Sequence, residues 1–550
     1  MKRLFSFCIL HFAFLIFALP LAAQQQLTAF PGAEGYGKFT TGGRGGEVCY
    51  VTSLADCSDD NLVEGTLRWA IRHDNGGVPR TILFKVSGTI LTTSDLKFAY
   101  PNVSILGQTA PNGGICIAGY KFYVCQSNVI IRYIRFRAGD LAGWKSKKSC
   151  PSIDIENVKH VILDHCSITW SMEECLTMYD NDSTTVQNCI LGEALYNSMN
   201  AKGARAYATQ WGGEHSTMHH CLLTNSNNRI PRFNGVRNES KQRGEHDYQV
   251  DSEFANNVVF NWGKENPAYG AECDTTAVKT LEGYGAPYNK VSMLANYYKH
   301  GPAWKKKAYM AQGDKWGEFY FRGNQADTLM ENFKQKSSAY PSVLLVVRPD
   351  SSDLEIEDAL SAYQKVVTKS GASLPCYDPV DTRLLNEAAG KQAPKYFGPS
   401  TAGGTTPARG IGIIDTPNNI DLSEYNGKYI RLTIADVDTC NIYPDLSQLG
   451  TAYTVQDADG DGMPDTYETL NSLNPNDASD GATLGTSGYT HLEEYLNGVA
   501  AGRLNRDGSA VPTAVDELNT ITTAEKFLRG GQLYIRKSGH IFDATGQLVR

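Results

Sequence analysis

NVIIRYIRFR (128–137), HVILDHCSIT (160–169), TTVQNCIL (184–191), STMHHCLL (216–223), SEFANNVVF (252–260) and VSMLANYY (291–298) are variants of one short phrase. Aligned on Ile134, Cys166, Cys189, Cys221, Val258 and Tyr297, they recur at steps of 32, 23, 32, 37 and 39 residues. A minimum near 23 with variable excess describes one repeated coil that carries loops of different length. Each phrase is too short and too rich in β-branched residues for a helix, and each ends in polar residues, so it reads as a strand. Strands repeated at coil length stack in parallel, and the fold expected is all-β, a right-handed parallel β-helix.

Working outward, TILFKVSGTI (81–90) and NVSILGQ (102–108) extend the strands toward the N-terminus, and GTLRWAIR (65–72) reads as a short amphipathic helix capping the solenoid. In this register Cys166, Cys189 and Cys221 fall at equivalent inward positions and are read as core thiols. Cys49 with Cys57, and Cys116 with Cys125, are better placed for disulfides. Beyond about residue 330 the pattern changes. EIEDALSAYQKVVTK (355–369) has helical periodicity and STAGGTTPARG (400–410) is a connector. The divisions expected are a leader over 1–23, a β-helix over 24–330, an appendage packed on it over 331–450, a calcium-loop region over 451–500 and a short β tail over 513–550.

The first residues, Met1-Lys2-Arg3 and an apolar run ending in Leu21-Ala22-Ala23, read as a secretory signal peptide, which predicts a secreted or cell-surface protein without a stable membrane span. The 550 residues carry a formal charge of −8, which becomes −10 once Lys2 and Arg3 are removed. That balance gives no broad basic field for nucleic acid, so an acidic ligand would need a local cationic groove. A monomer is expected.

FPGAEGYG (30–37), GGRGG (42–46), ILFKVSGTI (82–90), NVIIRYIRFRAGD (128–140), LDHCSITWSMEE (163–174), WGG (211–213) and NRIPRFNG (228–235) together resemble the family 1 pectate lyases. SLPCYDPVDTRLLNE (373–387) resembles the C-terminal extension of bacterial members. The resemblance implies a parallel β-helix that cleaves polygalacturonate by calcium-assisted β-elimination. Such a reaction removes the proton on C5, next to the C6 carboxylate, and expels the glycosidic oxygen at C4; a divalent ion bridging protein and substrate carboxylates lowers the cost of the carbanion. Calcium suits the task because it takes several oxygen ligands in irregular geometry.

By that resemblance Asp164 is the metal-binding aspartate, with Glu173 and Glu174 as further ligands. Arg229 is the residue credited with taking the proton, Arg232 holds the substrate carboxylate, and Lys202 resembles a substrate-binding lysine; Arg205, where related sequences tend to have histidine, is read with them as part of a cationic groove that successive coils line up. A guanidinium is ordinarily never deprotonated, so alkaline activity is expected. The reading requires Asp164 and the arginines to meet across one cleft from neighbouring rungs. The adjacent His219 and His220 are read as structural rather than as zinc ligands. A pectin lyase, a glycoside hydrolase and a non-catalytic glycan-binding solenoid are the alternatives; hydrolysis lacks its paired carboxylates here.

DADGDGMPDTYE (457–468) sets oxygen ligands at positions 1, 3, 5, 9 and 12 of a loop: Asp457, Asp459, Asp461, Asp465 and Glu468. Gly462 stands at the sharp turn, and Met463 offers its carbonyl. This is a structural calcium loop, with NPNDASD (474–480) as a partial second one. The end of the chain, 526–550, reads as two or three short strands resembling exported-protein sorting tails.

Overall fold

Residues 47–344 wind into stacked coils in the computed structural model. It describes residues 26–511 apart from 147–149, 236–248, 274–287, 304–308 and 350, then 525–530, 532–537, 540–543 and 548–549. The leader and part of the β tail therefore lie outside the described residues. Three parallel sheets form the walls of the solenoid. The first has 11 strands, from Glu47–Val51 to Val343–Leu344; the second has 9, from Gly88–Leu91 to Gln325–Ala326; the third has 9, from Leu96–Lys97 to Glu331–Gln335. Each coil visits them in that order, as in Lys159–Asp164, Ser167–Thr169 and Glu174–Tyr179. This is the right-handed parallel β-helix expected, although its ladders run to Leu344 rather than stopping at residue 330.

The corner between the first and second sheets is made by one residue in the left-handed region. Tyr133, His165, Asn188, His220, Asn256 and Ala295 occupy it with φ between 46° and 58°. That conformation disfavours most side chains, and it persists because the coils above and below dictate it. Immediately after the corner, Cys166, Cys189 and Cys221 point into the core with no exposed surface. Their column continues as Asn257 and Asn296, since Leu222 pairs with Val258 and Val258 with Tyr297. The sequence alignment is thus one residue off on the last two coils. The column changes there from thiol to amide, so the apolar residue of the phrase falls one position later.

The amides form a ladder. The Cys221 N–H donates to Asn257 Oδ1 at 3.0 Å, the Asn257 N–H to Asn296 Oδ1 at 2.9 Å, and the Asn296 N–H to Asn324 Oδ1 at 3.0 Å. Asn257 Nδ2 donates onward to the Met218 carbonyl at 2.9 Å. Every cysteine among the described residues is a free thiol, Cys49, Cys57, Cys116 and Cys125 included, so neither expected disulfide is present. Cys116 lies on the second sheet and Cys125 just beyond a strand of the third, on different walls.

Two of the three outer faces are covered. On the first sheet, Leu83, Leu106, Ile130 and Ile162 pack against Ala29 and Phe30 of the N-terminal segment and against Met463, Leu492 and Leu496 of the C-terminal lobe. On the second, helices Ala359–Lys369 and Pro379–Ala389 are fastened by buried charges. Arg137 Nη2 donates to Asp381 at 2.8 Å and Arg135 Nε to the same carboxylate at 3.2 Å; Arg137 also bonds Asp378. Helix Leu67–Arg72 caps the N-terminal end, burying Leu67, Ala70 and Ile71 in the central core. The tail pairs as four antiparallel strands, Glu525–Arg529 to Leu548–Val549.

Asn257→Ala strands the buried Cys221 N–H and Met218 carbonyl together. It is expected to lower the unfolding free energy by about 3 kcal/mol, read as an earlier midpoint in denaturant melts with an unchanged slope.

Candidate active site

The third sheet is the wall on which none of the described C-terminal helices packs, and its outer residues stack in register. One row runs Lys97, Tyr123, Asp154, Thr177, Gln210, Arg232, Tyr269, Gln312 and Lys334. Rungs about 4.8 Å apart put Asp154 and Arg232 about 14 Å from one another along this row. A second row joins Glu174 to Tyr207 and Asn228, next to Arg229.

Arg229 sits at a corner with φ 55°, just before the cis Ile230–Pro231 bond, and its side chain reaches Glu174 two rungs away. Its guanidinium bonds Glu174, receives support from Tyr269 Oη at 3.2 Å and Gln210 Oε1 at 3.2 Å, and lies 4.2 Å from the Tyr207 ring centre. Burial works against its charge, but Glu174 and Tyr269 outweigh that and hold the guanidinium above its ordinary value. Arg232 bonds Glu272 and keeps a buried Nη1 without a partner. Glu173 gathers the other cations: Arg205 Nε at 3.3 Å and Lys202 Nζ at 3.9 Å, with Asn200 Nδ2 donating at 2.7 Å. Arg229, Arg232, Arg205, Lys202, Glu173 and Glu174 therefore share one wall.

Asp164 does not join them. It is the last residue of its first-sheet strand, beneath the N-terminal segment and the C-terminal lobe. Its Oδ2 accepts from Arg132 Nε at 2.8 Å; its Oδ1 meets His165 Nδ1 at 2.8 Å and accepts from Gln187 Nε2 at 2.9 Å. Burial opposes the charge, yet His165 and Arg132 hold the carboxyl far below the usual range. The nine residues from Asp164 to Glu173 pass two corners of the coil, crossing the second sheet to reach the third, so the expected single cleft is not formed. Arg132 in turn lies 3.7 Å from the Phe30 ring centre and donates to Asn497 at 3.4 Å, which makes Asp164 an anchor of the covering segments.

The carboxylate that does face the groove is Asp154, which the sequence reading missed. The signal was present in SIDIEN (152–157): Ile153 and Ile155 face the core, so period-2 alternation turns Asp154 outward. Lys121 Nζ lies 2.9 Å from Oδ2, while Oδ1 is buried with no partner. Burial first, then Glu156, pushes the Asp154 carboxyl up to about 6. Burial also raises Glu174, with Glu173 adding to it, against the pull of Arg229. Asp154 thus offers one unpartnered carboxylate oxygen, a hard donor of the kind calcium takes, while the oxygens of Glu173 and Glu174 are held by Arg205, Lys202 and Arg229. Tyr207, Tyr269 and Gln210 were missed as well, because nothing in their local sequence marks them.

His219 and His220 touch through their Nδ1 atoms at 2.9 Å, and His220 Nε2 contacts Glu357 at 2.6 Å. They belong to the joint with the C-terminal appendage.

The fold and this wall of paired charges define a solenoid protein with one charged outer face that none of the described C-terminal helices covers. No family model matches the chain. It is 29% identical over 493 residues to the probable pectate lyase C of Aspergillus flavus, covering 86% of this chain and 94% of that one. It is 28% identical over 503 residues to the probable pectate lyase C of Emericella nidulans, covering 88% and 96%. Among solved structures, a pectate lyase bound to hexasaccharide aligns at a TM-score of 0.43 with 14% identity, over 64% of this chain and 99% of that one. Over most of its length the chain is thus similar to proteins named as probable pectate lyases.

Asp164→Ala leaves Arg132 buried and unpaired, and is expected to cost about 3–5 kcal/mol of stability. Asp154→Asn removes a carboxylate that burial already disfavours and is expected to stay within about 1 kcal/mol of the native protein. Denaturant melts of the two variants separate the anchor from the groove residue.

Proposed function

We propose that the protein is an extracellular enzyme that cleaves α-1,4-linked polygalacturonate by calcium-assisted β-elimination along the third-sheet groove. The observation that carries this is the meeting of Arg229 and Glu174 on one wall, flanked by Arg232, Arg205 and Lys202. The named relatives support it, and the leader read from the sequence supports export. Asp154, Glu173 and Glu174 would hold the calcium, which, when bound, draws charge from the carbanion formed at C5.

The chain's own residues account for the rest. An acidic polymer can be held here by cations that now pair with carboxylates of the same wall, Arg229 with Glu174, Arg232 with Glu272, and Arg205 and Lys202 with Glu173, where a substrate carboxylate would take the place of the protein's own. Arg232, part-exposed beside Glu272, would take a uronate carboxylate in place of that partner, and Lys202 and Arg205 extend the line of cations. Tyr207 and Tyr269 hold Arg229 from below and from the side. While Glu174 pairs with it, Arg229 stays charged and cannot accept a proton. Transfer from C5 therefore requires Glu174 to be engaged elsewhere, and an alkaline medium favours the step further.

Arg229→Ala is expected to reduce turnover by about 10²- to 10⁴-fold, followed as the absorbance of unsaturated uronide on polygalacturonate with calcium and with chelator. Full activity in the variant, or in chelator, would remove the mechanism.

Asp154 supplies a pH dependence. Its folded value lies above the usual carboxylate value, so protons compete for it as pH falls through about 6. The calcium concentration for half-maximal activity is expected to rise steeply between pH 7 and pH 5. In Asp154→Asn that rise should flatten.

A further inference from the structure

The loop read as a calcium motif lies far along the chain from the groove and folds with an altered ligand set. The carboxylate oxygens of Asp457, Asp459 and Asp461 lie within 4.8 Å of one another, and so do those of Asp461, Glu468 and Asp480. Asp465, expected as a ligand, instead starts helix Asp465–Leu470 and accepts from the Ala458 N–H at 2.9 Å. Asp480 closes the segment read as a second partial loop, accepting from the Asn474 N–H at 2.9 Å with its other oxygen. The two stretches build one site.

The second observation is a set of buried oxygens with nothing to bond. Glu468 is fully buried, with neither carboxylate oxygen partnered; Asp461 is 5% exposed, with Oδ2 unpartnered. Oδ2 of Asp459 and Oδ1 of Asp480 are also without partners. Buried carboxylates are normally bonded, so several orphans converging on one point indicate a missing cation. Burial and the neighbouring aspartates push Glu468 up to about 8 and Asp461 up to about 7. An all-oxygen set on a glycine-bearing loop suits calcium. Gly481 leaves the necessary room, since a Cβ there would come 2.2 Å from Asp461 Oδ2.

This loop is also the seam between the lobe and the solenoid. A Cβ on Gly462 would lie 2.9 Å from Leu83 on the first sheet, and Met463 is fully buried in the apolar cluster with Leu83, Leu106 and Ile130. Tyr50, also on the first sheet, bonds Asp457, and Lys85 lies 3.8 Å from the same carboxylate. Arg506, further along the lobe, donates to the Ala110 carbonyl at 2.6 Å.

We propose that Asp457, Asp459, Asp461, Glu468 and Asp480 bind a second calcium ion, separate from the groove, which clamps the lobe over 451–511 onto the outer face of the first sheet. Without the ion the carboxylates repel one another, the loop loosens, and Met463 and Arg506 lose their seats. The lobe also covers Arg132 and Asp164, so its release exposes the first sheet without touching the groove.

The test uses the full-length protein stripped with chelator and titrated with calcium, in a Glu174→Gln background that disables the groove. Bound calcium is counted by equilibrium dialysis, the melting temperature is recorded, and trypsin cleavage after Arg503 and Arg506 is followed. Calcium is expected to raise the melting temperature by several degrees and suppress the cleavage at least tenfold. Adding Glu468→Gln or Asp480→Asn should remove one bound ion and both effects, whereas Asp465→Asn should keep them. Asp480 is only part-buried, so its variant serves if Glu468→Gln does not fold. Unchanged calcium count and melting in Asp480→Asn overturn the site. Calcium binding that leaves the cleavage unaffected overturns the clamp. Neither result bears on Arg229.

Discussion

Everything in this molecule depends on the lateral hydrogen bonding of one coil to the next. Because the three sheets are parallel and in register, every inward side chain sits on its equivalent from the coil below, and every outward one joins a row. Corners held in the left-handed region are tolerated only inside that frame. Cysteine fills the first corner column on three coils and asparagine on the next three, Asn257, Asn296 and Asn324, and each solution meets the need differently. The thiol packs as a small apolar group, whereas the amide takes up backbone donors and acceptors that the bend leaves open.

A solenoid with three outward walls must decide which of them meets water. Here the first is sealed by an apolar cluster reaching from Phe30 to Val499, and the second by helices held with Arg135, Arg137, Asp378 and Asp381. Buried ion pairs of this kind add little net stability, but removing one partner is costly, so they dictate where the helices may dock. What remains uncovered among the described residues is the third wall, where charge collects. The candidate groove is located by exclusion as much as by the residues themselves.

Asp164 and Asp154 show how closely an anchoring carboxylate and one on the candidate groove can resemble each other in sequence. Both end or interrupt an apolar run, and they lie ten residues apart. Asp164 has a partner for each oxygen and lies far below the usual carboxylate range, a group the fold has already consumed. Asp154 keeps an orphaned oxygen and a raised value, a group with capacity to spare.

The sequence alone determined the class of fold, because a recurring β-branched phrase with a minimum step near 23 residues has few physical readings. It also pointed to the arginines of the third wall, through NRIPRFNG, and to the acidic cluster of the C-terminal lobe, through carboxylate spacing; these signals are local. It did not determine the strand register of the last coils, where asparagine replaced cysteine. It did not show that nine residues suffice to carry Asp164 and Glu173 to different walls, nor that Asp480 displaces Asp465 at the C-terminal site. Those outcomes belong to the tertiary structure. Which wall a side chain faces, and which distant carboxylate completes a site, depend on how many corners the chain has turned, and local spacing does not count corners.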